Sequence, residues 1–150
     1  GGMGMGMGGM GMGGFFNVGP DRVAKLKVKT VCLEHGKEDP NPRIPYRMRP
    51  IETFTQKKAL IEVCAMLGRG EIDQPSAQAA AWHLSDNLNW ETLAQKIKVR
   101  HLNGQTERYF NPQQLQQAVR AVRVATERTK DAPTPGTGHQ ASPKESLSQR

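Results

Sequence analysis

Apolar and polar positions alternate from Val23 to Leu33. Ala24, Leu26, Val28, Thr30 and Cys32 fall on one side, and Lys25, Lys27 and Lys29 on the other. Side chains along a strand point to opposite faces with period two, so this run predicts a half-buried strand. A turn-forming stretch follows, Glu34-His35-Gly36-Lys37-Glu38-Asp39-Pro40-Asn41-Pro42, after which Tyr46 and Met48 alternate with Arg47 and Arg49. That second run predicts a short strand. Pro45 and Pro50 bracket it, and proline donates no ladder hydrogen bond, so the strand belongs at an edge.

Beyond Pro50 the period changes. Leu60, Val63, Cys64 and Leu67 recur at helical spacing, which predicts a helix capped by Thr55 and ended by Gly68. Pro75 suits the first turn of a second helix over about 75–85, which is apolar nearly all round through Ala77, Ala79, Ala80, Ala81, Trp82 and Leu84. A short helix of that kind is central to its fold. Asn89 caps a third helix with Trp90, Leu93, Ala94 and Ile97 on one face. Asn111-Pro112 opens a fourth, with Leu115, Ala118, Val119, Val122 and Ala125 inward. His101-Leu102-Asn103-Gly104-Gln105 reads as the turn between them. The pattern amounts to an α+β domain, a small antiparallel β element packed on about four helices.

Composition sets the limits of that domain within the 150 residues. Residues 1–14 are only Gly and Met, and residues 131–150 are rich in Pro, Ser, Thr, Gly and Gln. Neither end can bury enough apolar surface to offset the entropy of ordering, so both are expected to be disordered around a domain at 15–130. Methionine thioethers suit Cu(I), but no Cys or His accompanies them in the leader, and no metal or other cofactor is expected. The charges of the tail (Asp131, Lys144, Glu145, Arg150) cancel, so the net charge of +7 belongs to the domain. No run approaches the roughly 20 apolar residues of a membrane span. Two cysteines, Cys32 and Cys64, form neither a disulfide framework nor a CxxC metal site.

Three constellations carry candidate chemistry. If the two strands pair, Lys25, Lys27, Lys29, Arg47 and Arg49 share one sheet face. Like charges opposed across strands repel, so such a face is either left to water or used on an anion. That implies a polyanion partner, an acidic polysaccharide or a nucleic acid bound non-specifically. No aromatic residue lies between these cations, which argues against base stacking. Cys32 with His35 could act as nucleophile and base only if the chain bends at Glu34, and no oxyanion loop accompanies them. Glu34, His35 and Asp39 lack the spacing of a metal site and read as a solvated turn. The third constellation is Cys32 with Gln78. A buried Gln needs hydrogen-bond partners, either loop backbone or, in the sharper reading, a Cys thiolate that displaces ammonia to give an internal thioester.

The run Ala77-Gln78-Ala79-Ala80-Ala81-Trp82 resembles the Thr-Gln-x-Ala-x-Trp motif of bacterial surface thioester domains. Gln78, Ala80 and Trp82 match it, and Ala77 stands where that family has Thr. The resemblance implies a bond from Gln78 to a Cys earlier in the chain, a place that Cys32 fills. The leader, Val31-Cys32-Leu33-Glu34-His35-Gly36-Lys37 and Gln78-Ala79-Ala80-Ala81-Trp82-His83-Leu84 are together similar to uncharacterised exported proteins of planctomycete bacteria. That similarity implies a place outside the cytoplasm or in the cell envelope. The function expected is a non-catalytic binding or structural module that engages an anionic partner through the basic face. The alternative is a thioester domain that captures a nucleophile covalently.

Overall fold

The computed structural model describes residues 18–134. The leader at 1–14 and most of the tail therefore lie outside the described residues. Within them are a single 3-10 turn (Ile51–Thr53), helices α1 (Lys58–Gly68), α2 (Gln74–Asp86) and α3 (Trp90–Gln95), strands β1 (Ile97–Arg100) and β2 (Thr106–Arg108), and helix α4 (Pro112–Thr129). The class is α+β, with four helices and one two-stranded antiparallel sheet among the described residues.

Local chemistry explains each helix boundary. Asp73 caps α2 by accepting from Ser76 N–H at 3.0 Å, and Pro75 sits in the first turn. Asn89 caps α3 through Thr92 N–H at 2.7 Å. Asn111 and Gln114 form a reciprocal capping box at the start of α4. Thr55 does not cap α1. Its hydroxyl accepts from Lys57 N–H just ahead of the helix, and Lys57 takes the cap position. Nor does Gly68 terminate α1. It is the last helical residue, and the left-handed position belongs to Gly70 at φ 76°. There Gly70 N–H donates to Leu67 O and Glu71 N–H to Met66 O, a Schellman closure that favours glycine.

The core lies among α1, α2 and α4. Leu60, Val63, Met66 and Leu67 of α1 meet Ala77, Ala79, Ala80 and Trp82 of α2 and Ala118, Ala121 and Ala125 of α4, with Leu93 and Phe110 closing one end. As expected for a central helix, α2 is buried without interruption from Ser76 to Trp82 and packs on both α1 and α4. The inward face of α4 is turned slightly from expectation. Ala121 is buried and Val119 is 44 % exposed.

The β element is not where alternation put it. Residues 23–33 and 46–49 form no strand, and Ala24, Leu26 and Val28, expected inward, face water. Among the described residues nothing pairs with them, and alternation alone cannot hold a strand without a partner. The sheet is instead a hairpin around the expected 101–105 turn, pairing Ile97 with Arg108, Val99 with Glu107 and Arg100 with Thr106. Ile97 and Val99 alternate with Lys98 and Arg100 over only these four residues, and Ile97, expected on the third helix, opens the strand instead. The hairpin residues are almost all exposed.

One ionic network ties the far ends of α1 and α4. Arg69 reaches Glu62 at 2.6 Å and Glu71 at 2.7 Å, and Arg128 reaches Glu71 at 2.7 Å and Glu62 at 3.1 Å. Hydrogen bonds from Arg69, then Arg128, hold the Glu71 carboxyl well below the usual 4.5, at about 2. A carboxylate whose folded pKa is depressed contributes stability above its unfolded pKa and loses it as pH falls through the folded one. The urea midpoint should therefore fall as pH drops from 4.5 towards 2. The variant Glu71→Gln should show a shallower fall over that window, and an unchanged slope would remove Glu71 from the acid response.

Candidate functional site

Residues 30–35 lie along a single stripe of α2, made by Gln74, Gln78, Trp82 and Asp86. Gln74 Nε2 donates to Thr30 O at 3.1 Å. At Gln78 the contact is double, since Cys32 N–H donates to Gln78 Oε1 at 2.8 Å and Gln78 Nε2 donates to Cys32 O at 2.7 Å. Trp82 holds the His35 ring edge-on at 4.8 Å, and Asp86 Oδ1 accepts from His35 N–H at 3.3 Å. Four helical residues rise about 6 Å and two extended residues span about 6.6 Å, so Gln74 and Gln78 meet Thr30 and Cys32, two residues apart. Past Cys32 the match ends, and Trp82 and Asp86 both meet His35.

Beyond Cys32 the chain bends, and Gly36 at φ 85° completes the turn. The bend at Glu34 that the Cys32–His35 pair requires is thus present, but no hydrogen bond joins the two side chains among the described residues. Cys32 Sγ donates instead to Glu34 O at 3.1 Å. His35 faces a lysine. Lys96 Nζ donates to His35 Nε2 at 2.9 Å, which assigns the ring proton to Nδ1, and lies 5.2 Å from the Trp82 ring and 5.4 Å from the Tyr109 ring. Cation–π attraction of this kind holds an ammonium against ring faces.

Together Cys32, His35, Gln78, Trp82, Lys96 and Tyr109 line a cavity of about 690 Å³. Burial pushes the Tyr109 hydroxyl above its usual range, aided by the nearby Asp39 carboxylate. The buried Trp82 indole N–H has no partner among the described residues, which costs on the order of 1–3 kcal/mol. Among the described residues no group of three His, Cys, Asp or Glu side chains is placed to hold a metal ion. Cys64 lies apart in the α1 packing, where burial pushes its thiol up. His83 donates from Nδ1 to Leu88 O at 2.7 Å and stacks on Trp90, a structural role.

The five cations of the basic face have a different fate. Lys25, Lys27, Lys29, Arg47 and Arg49 are all exposed, and none makes an ion pair among the described residues. The sheet expected to array them is absent, so they share no sheet face. Lys29, Arg47 and Arg49 instead line one shallow groove of about 570 Å³ with Phe54 and Cys64, while Lys25 and Lys27 precede it on the exposed run.

Four site residues escaped the sequence reading: Gln74, Asp86, Lys96 and Tyr109. The first two carried a signal, since polar residues recur at i+4 from Gln78 and Trp82 on an otherwise apolar helix. Lys96 and Tyr109 carried none, because each lies just outside a very short strand, one ahead of β1 and the other after β2. No family model matches the chain, and no curated protein or solved structure matches it.

Replacing Gln78 with Ala leaves the N–H and C=O of Cys32 unpaired and should cost about 1–3 kcal/mol. Hydrogen exchange should accelerate at residues 31–35 while α4 keeps its protection. Unchanged protection at 31–35 would show that Gln78 does not fasten the segment.

Proposed function

We propose that the domain is a covalent capture module in which Cys32 and Gln78 form an internal thioester. The observation that carries this reading is the double hydrogen bond between the Gln78 carboxamide and the backbone of Cys32, at 2.8 and 2.7 Å, with Gln78 only 4 % exposed. Of all the residues on α2, the one matching the motif glutamine is the one held against the cysteine. Trp82, buried one turn along the same helix, lines the same cavity and gives it an apolar wall beside Gln78.

The chemistry balances within these groups. The Cys32 sulfur adds to the Gln78 carboxamide carbon, and negative charge develops on Oε1. The Cys32 N–H already donates to that oxygen, the arrangement that stabilises an oxyanion. The carbon–nitrogen bond then breaks, and the nitrogen leaves as ammonia, carrying the thiol proton. An incoming amine later attacks the same carbon, returns the thiol to Cys32 and remains as an amide on residue 78. Lys96, an amine in the wall of the same cavity, is engaged by His35 and two aromatic rings, which keeps it from consuming the bond. Capture is a single event per molecule, so the module is not a turnover enzyme.

A second reading rests on a separate observation, the unpaired and exposed cations Lys25, Lys27, Lys29, Arg47 and Arg49. They favour attraction of an anionic partner outside the cytoplasm or in the cell envelope, released as salt rises because counterions return to the anion. The two readings are compatible, since charge can bring a partner to the domain before a covalent bond forms.

Intact mass tests the first reading. The purified protein should be lighter than its sequence mass by one ammonia, and methylamine should add to it. Cys32→Ser and Gln78→Ala should each show the full sequence mass and no uptake. Full sequence mass and no methylamine uptake in the unaltered protein would refute it. Heparin chromatography tests the second. Changing Lys25, Lys27 and Lys29 to Gln should lower the eluting salt concentration without altering the urea midpoint, and an unchanged elution would rule these lysines out.

A further inference from the structure

The run from Val23 to Val31 has the composition of a strand and the partners of none. No backbone hydrogen bond involves the N–H groups of these residues among the described residues, and only the Thr30 carbonyl is taken, by Gln74. Its side chains are as unspent as its backbone. Val23 is 94 % exposed, Leu26 54 % and Val28 70 %, and Lys25, Lys27 and Lys29 make no ion pair among the described residues. No acidic residue occurs between Arg22 and Leu33.

We propose that this run is a docking strand, completed when an extended segment of a second protein, alternating acidic and apolar residues, pairs with it by β-strand addition. The proposal rests on the anionic-partner reading and names the partner's class. Three features select that occupant. Unpaired N–H and C=O groups in a β-prone run are a template for another strand. Alternation puts lysines on one face and Ala24, Leu26 and Val28 on the other, so a partner strand must match charge on one side and apolar surface on the other. A polysaccharide or nucleic acid satisfies only the lysines and leaves the apolar side in water, and the run offers no aromatic ring for base stacking.

A second copy of this chain does not fit. Its acidic residues nowhere alternate with apolar ones over a comparable length. The closest stretch, Glu71-Ile72-Asp73, is committed, with Glu71 bound to Arg69 and Arg128 and Asp73 capping α2.

The test titrates the full chain with a synthetic peptide alternating Glu and Val, with a peptide of the same composition whose Glu residues are grouped, and with a heparin fragment. The alternating peptide should bind about tenfold more tightly than the grouped one, a difference worth about 1.4 kcal/mol. It should also slow hydrogen exchange at residues 23–31. The double variant Leu26→Ser, Val28→Ser should weaken the alternating peptide by about the same factor and leave heparin binding unchanged. These residues are exposed, so the variant should keep the urea midpoint of the parent.

Equal binding of the two peptides, or peptide binding without amide protection at 23–31, overturns the docking strand. If heparin still binds in that case, the anionic-partner reading survives alone. If neither peptide nor heparin binds, both fall.

Discussion

A primary amide buried on a helix must find a partner for each of its ends, and Gln78 finds both on one residue. That single choice fixes the position of Cys32 against α2 to within a hydrogen bond. It also fixes the register of everything from Thr30 to His35, because the neighbouring contacts come from the same i+4 row. Slipping the segment by one residue would present side chains where backbone groups are needed. Register is set by satisfaction of polar groups here, as it is set by ladder pairing in a sheet.

The alanines are the other half of this arrangement. Ala77, Ala79, Ala80 and Ala81 are fully buried, and small side chains let α2 lie close between α1 and α4. With its other faces given to the helix core, one stripe of α2 is left, and that stripe carries the polar and aromatic residues. The cavity floor is therefore part of the core, whereas its opposite wall is loop and hairpin. His35 from the loop, Lys96 from the start of the hairpin and Tyr109 from its end meet over Trp82.

What could be read from the chain divides along the same line. All four helices were legible from apolar residues at helical spacing, and three of them also from a cap or a proline at the start. Helix α1 has no side-chain cap, and the third helix was expected to reach Ile97, which belongs to β1. Cys32 and Gln78 were legible as a pair because chemistry, rather than periodicity, singled them out. The strands were not. Residues 23–33 alternate well, but alternation describes what a strand would bury, and here only Val31, Cys32 and Leu33 reach the protein. The real hairpin, Ile97–Arg100 with Thr106–Arg108, is held by backbone pairing and a turn at Gly104, with almost nothing buried. Ile97 and Val99 do alternate with Lys98 and Arg100, but so short a run does not tell a strand from the end of a helix. The basic residues were correctly seen as surface, but their common face depended on the misplaced sheet and went with it.

The most direct test of the Cys32–Gln78 bond compares the two thiols. Native protein is treated with iodoacetamide, then digested and mapped. Cys64 is partly buried and lines the shallow groove, and burial raises its thiol pKa, so it should react slowly and at the same rate before and after methylamine. Cys32 should stay unmodified before methylamine and become fully alkylated after it, because in the proposed thioester its sulfur is acylated until an amine displaces it. Complete alkylation of Cys32 in the native, untreated protein would contradict the account and leave Gln78 as a purely structural clamp.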